Sequence, residues 1–240
     1  MRSIVIAVGL ALLSGCAVHR TPAPEHDPNE GFNRKIFWFN DQVDDWVLVP
    51  VATGWDKVAP DRVQHSVSNF FSNLRFPIVA TNDVLQGKVV DGVGDVGRFV
   101  LNSTLGVVGL FDPATGIGLV EHDEDFGQTL AVWGVPPGPY LVLPLLGPSS
   151  PRETLGLVVD EAFSVTTFFA DWWVLGAARV VDVVNERSRV LDEVHRAKEA
   201  SFDYYSFLRN AYSQRRTALV NDSGEKTKEE EDELYTLPPR

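Results

Sequence analysis

The chain is short of sulfur: its 240 residues contain one cysteine and one methionine. With Cys16 alone, no internal disulfide can form, so no disulfide framework is expected. Basic residues are scarce as well, 21 against 33 acids, for a net charge of −12. That balance argues against a nucleic-acid partner and against a polybasic grip on anionic lipid headgroups. Long uninterrupted apolar runs are missing too. The longest apolar stretch, Phe168 to Val184, is broken by Asp171, Arg179 and Asp182, so no conventional transmembrane helix is expected. There is no GxSxG elbow, and none of the five histidines falls in a recognisable triad.

What is present begins with Arg2, an apolar segment from Ile4 to Leu13, then Ser14, Gly15 and Cys16. This is the layout of a secretory signal peptide, with an apolar segment too short to span a bilayer of about 30 Å. Leu13-Ser14-Gly15-Cys16 resembles the bacterial lipobox, which implies removal of residues 1–15 and acylation of Cys16. Acyl chains would hold the protein at a membrane without a transmembrane helix, and they would remove the thiol from any catalytic role. Residues 16–26 read as a lipidated tether, 27–220 as one helical domain, and 221–240 as a disordered acidic tail. Within that tail, residues 222–233 carry seven acids and two lysines.

The apolar periodicity of the domain is helical, and the class is mainly α. Asp27, Pro28 and Glu30 predict a capping box at the start of the first helix. Phe32, Ile36, Phe39, Val43 and Trp46 follow as a stripe. Phe37 and Trp38 lie off that stripe, which suggests two apolar environments, such as core and lipid. A second helix carries Val63, Val67, Phe70, Phe71 and Leu74 and is expected to stop before Pro77. A short helix from Ile78 to Leu85 and another from Val89 to Leu101 follow.

Between Ser103 and Gly147 lie seven glycines and five prolines, yet the segment is apolar, with Leu105, Val107, Val108, Leu110, Phe111 and Tyr140 to Leu146. Loops in water are normally polar, so these either pack inside or face something apolar. One helix, Asp125 to Trp133, is expected within this segment. Ser150, Pro151 and Glu153 form a second capping box, with Leu155, Val158, Val159, Ala162 and Phe163 as the buried stripe. Helices are expected over Thr167 to Lys198 and Ser201 to Leu219.

Gly92, Gly94 and Gly97 spell GxGxxG, but no buried strand precedes them, so close helix packing explains them better than a nucleotide. The run His122-Asp123-Glu124-Asp125 lacks ligand spacing for zinc and reads as acids at a helix start. No catalytic residue, metal site or cofactor is expected.

Several ordered stretches resemble the MlaA (VacJ) family of outer-membrane lipoproteins. They are Asp27-Pro28, Glu30 to Arg34 with Asn33; Gly97-Arg98-Phe99, Asn102 to Thr104, Gly106, Gly109, Phe111-Asp112; Asp125 to Thr129; Gly134, Gly138 to Tyr140, Pro144; and Arg209, Ala211-Tyr212, Gln214-Arg215. Asn29 departs from the larger apolar residue usual there. The resemblance implies a ring of amphipathic helices in the periplasmic leaflet of the outer membrane, around an amphipathic channel with a hairpin loop nearby. It implies phospholipid as cargo, taken from the outer leaflet and handed to a periplasmic carrier that feeds an ABC transporter, with a trimeric porin as membrane partner. Along the lipid path it points to Asn33, Arg34, Arg98, Phe99, Asn102, Gly106, Gly109, Phe111, Gly134, Gly138 and Tyr140. Two rival classes remain: a structural lipoprotein that scaffolds porins or the envelope, and a lipid hydrolase, for which no activated nucleophile is visible.

Overall fold

The computed structural model describes residues 27–222. The leader, Cys16 and its tether, and the acidic tail beyond Asp222 lie outside the described residues.

The described chain is mainly α. Helix α1 spans Glu30–Val43 and is capped by Asn29, not Asp27. One carboxylate oxygen of Asp27 accepts the Asn29 N–H at 2.8 Å; the other accepts from Asn33 Nδ2 at 3.0 Å and from the Tyr205 hydroxyl. The expected capping box therefore does not form, because buried long-range donors take the carboxylate. Glu30 turns instead to Arg34 Nε at 2.8 Å. The helix runs on through one π turn, Asp44–Leu48, into α2, Val49–Val58. There the Val49 N–H reaches back five residues to the Asp44 carbonyl. The widening falls just before Pro50, which has no N–H to offer the carbonyl four residues back.

Helix α3, Asp61–Gln86, passes through Pro77 without stopping, which corrects the expected break and the separate helix after it. An interior proline costs about 3 kcal/mol. Phe76, Val79 and Ala80, on both sides of it, are buried, and their packing offsets that cost. Gly87, at φ +87°, ends α3 in a left-handed cap, and α4, Val89–Thr104, folds back along it. A Cβ on Gly92 would lie 3.0 Å from the Ala80 carbonyl oxygen and 3.2 Å from Asp83 Cβ, so this glycine lets the two helices touch. Gly94 faces open space and Gly97 meets only Leu119 Cδ1, so one glycine of the GxGxxG carries the contact.

Two short helices follow, α5 (Pro113–Gly116) and α6 (Phe126–Val132), then a hairpin of β1 (Leu141–Leu143) and β2 (Gly147–Ser149), paired with Val142 opposite Pro148. Helix α7, Pro151–Phe163, has one half of the expected box: Ser150 Oγ accepts the Glu153 N–H at 3.4 Å, while the Glu153 carboxylate turns to Arg152 at 2.9 Å and to Arg216. The chain continues through α8 (Val165–Phe169), α9 (Trp172–Arg189), α10 (Leu191–Ala200) and α11 (Tyr204–Val220). Asn185 of α9 ties three helices together. Its carbonyl accepts from Trp55 Nε1 at 3.0 Å, and its amide donates to the Gln64 carbonyl at 3.1 Å and Ser68 Oγ at 3.0 Å.

The polarity of the fold is inverted relative to a protein built for water. Among the described residues, sixteen polar or charged side chains are buried against ten apolar ones. On α1 Phe32, Phe39 and, in the π turn, Trp46 are exposed while Ile36 packs against the core; on α7 the stripe expected to be buried points outward, with Leu155, Val158 and Phe163 exposed. Periodicity had located a face correctly but assigned it to the wrong side. Helix α4 makes the case most simply. Gly92, Asp95, Arg98 and Asn102 are its buried residues, whereas Val89, Val93, Val96 and Val100, at helical spacing on the opposite side, are exposed.

Candidate functional site

Most of the family-motif positions belong to three buried polar hubs that hold the irregular segments in place. The first joins α1 to the hairpin. Asn33 is fully buried; its Nδ2 donates to the Tyr140 carbonyl at 2.9 Å and its Oδ1 accepts the Val142 N–H at 3.0 Å. Asn40 repeats this pattern one step along, donating to the Leu143 carbonyl at 2.9 Å and accepting the Leu145 N–H at 2.8 Å. Seven residues of helix rise about 10.5 Å. Three residues of strand advance about 10 Å. Two asparagine amides on one face of α1 therefore reach main-chain atoms at the start of β1 and at the turn that follows it.

Tyr140, Tyr205 and Tyr212 pack edge to face beneath this contact, joined by Phe37. Arg34 lies over the Tyr205 ring, 4.3 Å from its centre, and grips Asp203 with two hydrogen bonds of 3.1 and 2.5 Å. That pair, with the bond from Ser206, holds the Asp203 carboxyl well below the usual carboxylate range.

The second hub fixes the glycine-rich segment after α4. Arg98 is buried. It donates to the Asp112 carboxylate at 2.8 Å, to Thr115 Oγ1 at 3.1 Å and to the Leu119 carbonyl at 2.5 Å. Asn102 donates to the other Asp112 oxygen at 2.9 Å and accepts the Ala114 N–H at 3.2 Å. A Cβ on Gly106 would fall 2.2 Å from the Phe111 carbonyl oxygen, so no other residue fits there. Gly109, at φ +87°, lies against the Asn73 side chain. Phe99 is half-buried, and Phe111 faces outward with Leu105, Val107 and Val108.

The third hub explains Asp125 to Thr129. Asp125 caps α6, accepting the Gln128 N–H at 2.8 Å, and binds Arg216 at 2.6 and 3.1 Å; Arg216 also binds Glu153. Thr129 Oγ1 donates to Asn82 Oδ1 at 2.8 Å. Helices α6 and α7 cross with backbones touching at Gly127 and Gly156. Replacing Gly156 with alanine would place a Cβ 2.4 Å from the Gly127 nitrogen. We expect Gly156→Ala to lower stability by at least about 2 kcal/mol, read from urea unfolding in detergent, because backbone cannot move aside as a side chain can. Gly134 closes α6 at φ +88°, and Gly138, at φ +76°, abuts Pro151.

Burial pulls the carboxyls of Asp27, Asp112 and Asp125 upward, but their hydrogen bonds and cationic neighbours prevail, and all three titrate below the ordinary carboxylate value. Unfolding releases those partners, so the unfolded chain binds protons first. The stability these groups contribute is complete above about pH 4 and falls as acid passes through their lower folded values. Unfolding followed below about pH 4 should show the decline that these three groups produce. Asp125→Asn should flatten part of that decline.

The run His122 to Asp125 separates in space. Asp125 is the cap, and Asp123 pairs with Arg75 and Arg215. Glu124 is buried against Lys88 at 2.7 Å and Gln86 at 2.6 Å. Lys88 also holds Asp222 at 2.5 Å, just past the end of α11. His122 leaves the run altogether, its Nδ1 lying 2.9 Å from Asp95 Oδ2 and close to Asp83. Burial and the neighbouring Asp95 carboxyl push Asp83 well above the carboxylate range. Asp83 and Asp95 drew no notice in the sequence, because nothing local links residues from two helices to a histidine beyond the next loop.

Outside the hubs the surface is greasy. Trp38, Trp46, Trp133, Trp172 and Trp173, five of the six tryptophans, are exposed, as are Leu145 and Leu146 at the hairpin tip. Among the described residues no helix is long and apolar enough to cross a membrane. A cleft of about 410 Å³ lies elsewhere, lined by Asp56, Asp61, Gln64, His65 and Asp192 among others, and no motif position borders it.

A family model described as MlaA lipoprotein matches residues 25–219. An uncharacterised protein of Rickettsia prowazekii (strain Madrid E) is 36% identical over 200 residues, covering 81% of this chain and 78% of that protein. The intermembrane phospholipid transport system lipoprotein MlaA of Escherichia coli (strain K12) is 33% identical over 230 residues, covering 92% of this chain and 89% of that protein. A solved chain from work on the structural basis for maintenance of bacterial outer membrane lipid asymmetry superposes with a TM-score of 0.74 at 34% identity, covering 82% of this chain and 100% of that one. With its buried motif positions, its outward apolar faces and a match along nearly the whole described domain, this chain belongs to the MlaA lipoprotein family.

Proposed function

We propose that this chain transports phospholipid between the outer membrane and the periplasm, removing it from the outer leaflet and so maintaining lipid asymmetry. It does so seated in the periplasmic leaflet, held by acyl chains on Cys16 and by its own apolar exterior. The observation that carries this reading is the inverted helix α4, valines outward and Asp95, Arg98 and Asn102 inward. Valine exposed to water forfeits the roughly 1.5–3 kcal/mol gained when such a side chain is buried. In hydrocarbon that loss disappears. A phospholipid crossing a bilayer keeps its headgroup wet and its tails dry, and a ring of helices with one polar and one apolar face supplies both walls.

Transfer of this kind makes and breaks no covalent bond, so it needs no catalytic group. Direction comes from downstream, from a periplasmic carrier that feeds an ABC transporter, with a trimeric porin as the membrane partner. In the glycine-rich region between Ser103 and Gly147, residues 105–118 are stapled to α4 through Arg98 and Asn102, which both hold Asp112. The β1–β2 hairpin is then the moving gate: side-chain amides at Asn33 and Asn40 seat its backbone, and its tip carries exposed Leu145 and Leu146.

The test is transfer of a labelled phospholipid from vesicles bearing the lipidated chain and a porin trimer to a soluble carrier. The wild-type chain should raise transfer well above porin alone. A disulfide locking the hairpin to α1 should abolish that gain, and reduction should restore it. Equal transfer with the lock closed rejects the gate. No transfer and no co-purifying lipid from the wild type rejects the transport reading in favour of a scaffold.

A further inference from the structure

We propose that Asp83 of α3, Asp95 of α4 and His122 of the loop before α6 form a binding site for a divalent first-row transition cation, with Zn²⁺ as the reference ion. The three residues each offer one ligand atom, and those atoms all lie within 4.8 Å of one another. Around a tetrahedral zinc with bonds of about 2.0–2.1 Å, ligand atoms sit about 3.3 Å apart. The 2.9 Å from His122 Nδ1 to Asp95 Oδ2 and the 4.8 Å outer limit bracket that spacing, so small side-chain adjustments admit an ion.

The two carboxyls are also short of donors. Asp83 and Asp95 are both fully buried. Both carboxyl oxygens of Asp83, and Oδ1 of Asp95, receive no hydrogen bond from any other residue, and the two carboxyls have only each other. Elsewhere in the same interior carboxylates are richly supplied: Asp112 receives Arg98, Asn102 and Thr115, and Asp125 receives Arg216 and Gln128. The nearby cations are committed to other acids, Lys88 to Glu124 and Asp222, and Arg98 to Asp112 and Glu121. Leaving buried carboxylate oxygens bare is expensive. A dication would engage one oxygen of each carboxylate together with the imidazole, in place of the proton that burial keeps on Asp83.

The donor set selects the class of ion. Calcium and magnesium favour all-oxygen shells of six or more ligands. One imidazole with two carboxylates suits zinc, manganese, iron or cobalt, with water completing the shell. Bound there, the ion would join α3, α4 and the loop leading into α6, beside the Gly92 contact where the first two helices touch. This is a structural clamp. It does not depend on the transport reading, and its test does not measure lipid transfer.

The experiment uses the detergent-extracted full chain, purified without a histidine tag, stripped with a chelator and titrated with Zn²⁺ and, for its spectrum, Co²⁺. One equivalent should bind per chain, with a low-symmetry visible band from Co²⁺ and a thermal midpoint that rises with Zn²⁺ concentration. His122→Gln, at a partly buried position, should weaken binding at least about 100-fold, a loss at the upper end of what even outer-shell changes cause. Asp83→Asn, which keeps the shape and cannot ionise to bind a metal, should fold about as stably without metal and lose the zinc-dependent rise. His195→Ala, in an exposed pair with Glu199, should leave the single equivalent intact. Absence of stoichiometric binding to the wild type overturns the proposal. So does binding that survives both His122→Gln and Asp83→Asn.

Discussion

Replacing Asn33 with leucine is expected to destabilise the protein by about 3–5 kcal/mol and to free the hairpin from α1. The arithmetic starts from three hydrogen bonds lost at a fully buried position: Nδ2 to Asp27, Nδ2 to the Tyr140 carbonyl, and the Val142 N–H to Oδ1. Each buried group left without a partner costs about 1–3 kcal/mol. Two of them are backbone atoms of the hairpin and its approach, which cannot turn to water. Unfolding in urea with the protein in detergent reads the stability. Limited proteolysis reads the hairpin, which should be cut between residues 140 and 149 in the variant while the wild type resists. Asn40→Leu should cost less, about 1 kcal/mol, because its partner Leu145 is exposed and can be rehydrated. Equal effects at the two sites would contradict the division of labour inferred here.

The second large effect concerns the outside. Changing Val93 and Val96 together to lysine touches no buried contact, since both side chains are exposed. In an ordinary water-soluble protein such a pair of surface changes lies within about 0.5 kcal/mol of neutral. Here each charge would face hydrocarbon, at about 2.5–3.5 kcal/mol on insertion-based scales for the bilayer centre and less near the headgroups. Urea unfolding in detergent should therefore change little. Partition of the delipidated chain into phospholipid vesicles should fall at least about tenfold, a change of only about 1.4 kcal/mol. Unaltered partition would mean that this face of α4 meets water, and the account of the exterior would fail with it.

These two expectations separate what could be read along the chain from what could not. Local chemistry was legible. Ser150 before Pro151 and Asp125 before Phe126 mark helix starts that the structure repeats, because a cap concerns only four consecutive residues. The helical class and most helix positions follow from periodicity. Which way a face points does not, since the pattern of Leu155, Val158 and Phe163 is identical whether the apolar side meets a core or a lipid. Pro77 misled for a related reason: the local cost was real, but the burial of Phe76, Val79 and Ala80 depends on α4 and later elements.

The motif positions were visible one at a time, while their partners were not. Asn33 meets backbone 107 and 109 positions away, and Asp83 finds Asp95 and His122 only once α4 has folded back. Asp27 shows the same competition in miniature. It stood three residues before a glutamate, as a cap should, yet it was taken by Asn33 and Tyr205, which no short-range rule can supply.

The main-chain grip of α1 on the hairpin bears on how such a protein can diversify. Asn33 and Asn40 grip main-chain atoms, which every residue type shares, and leave the side chains of the hairpin tip unclaimed. Mutation at Leu145 or Leu146 can therefore retune size and greasiness at that tip without loosening its seat. Anchorage and selectivity become separately heritable, and lineages facing different bilayers can drift in one while selection holds the other fixed.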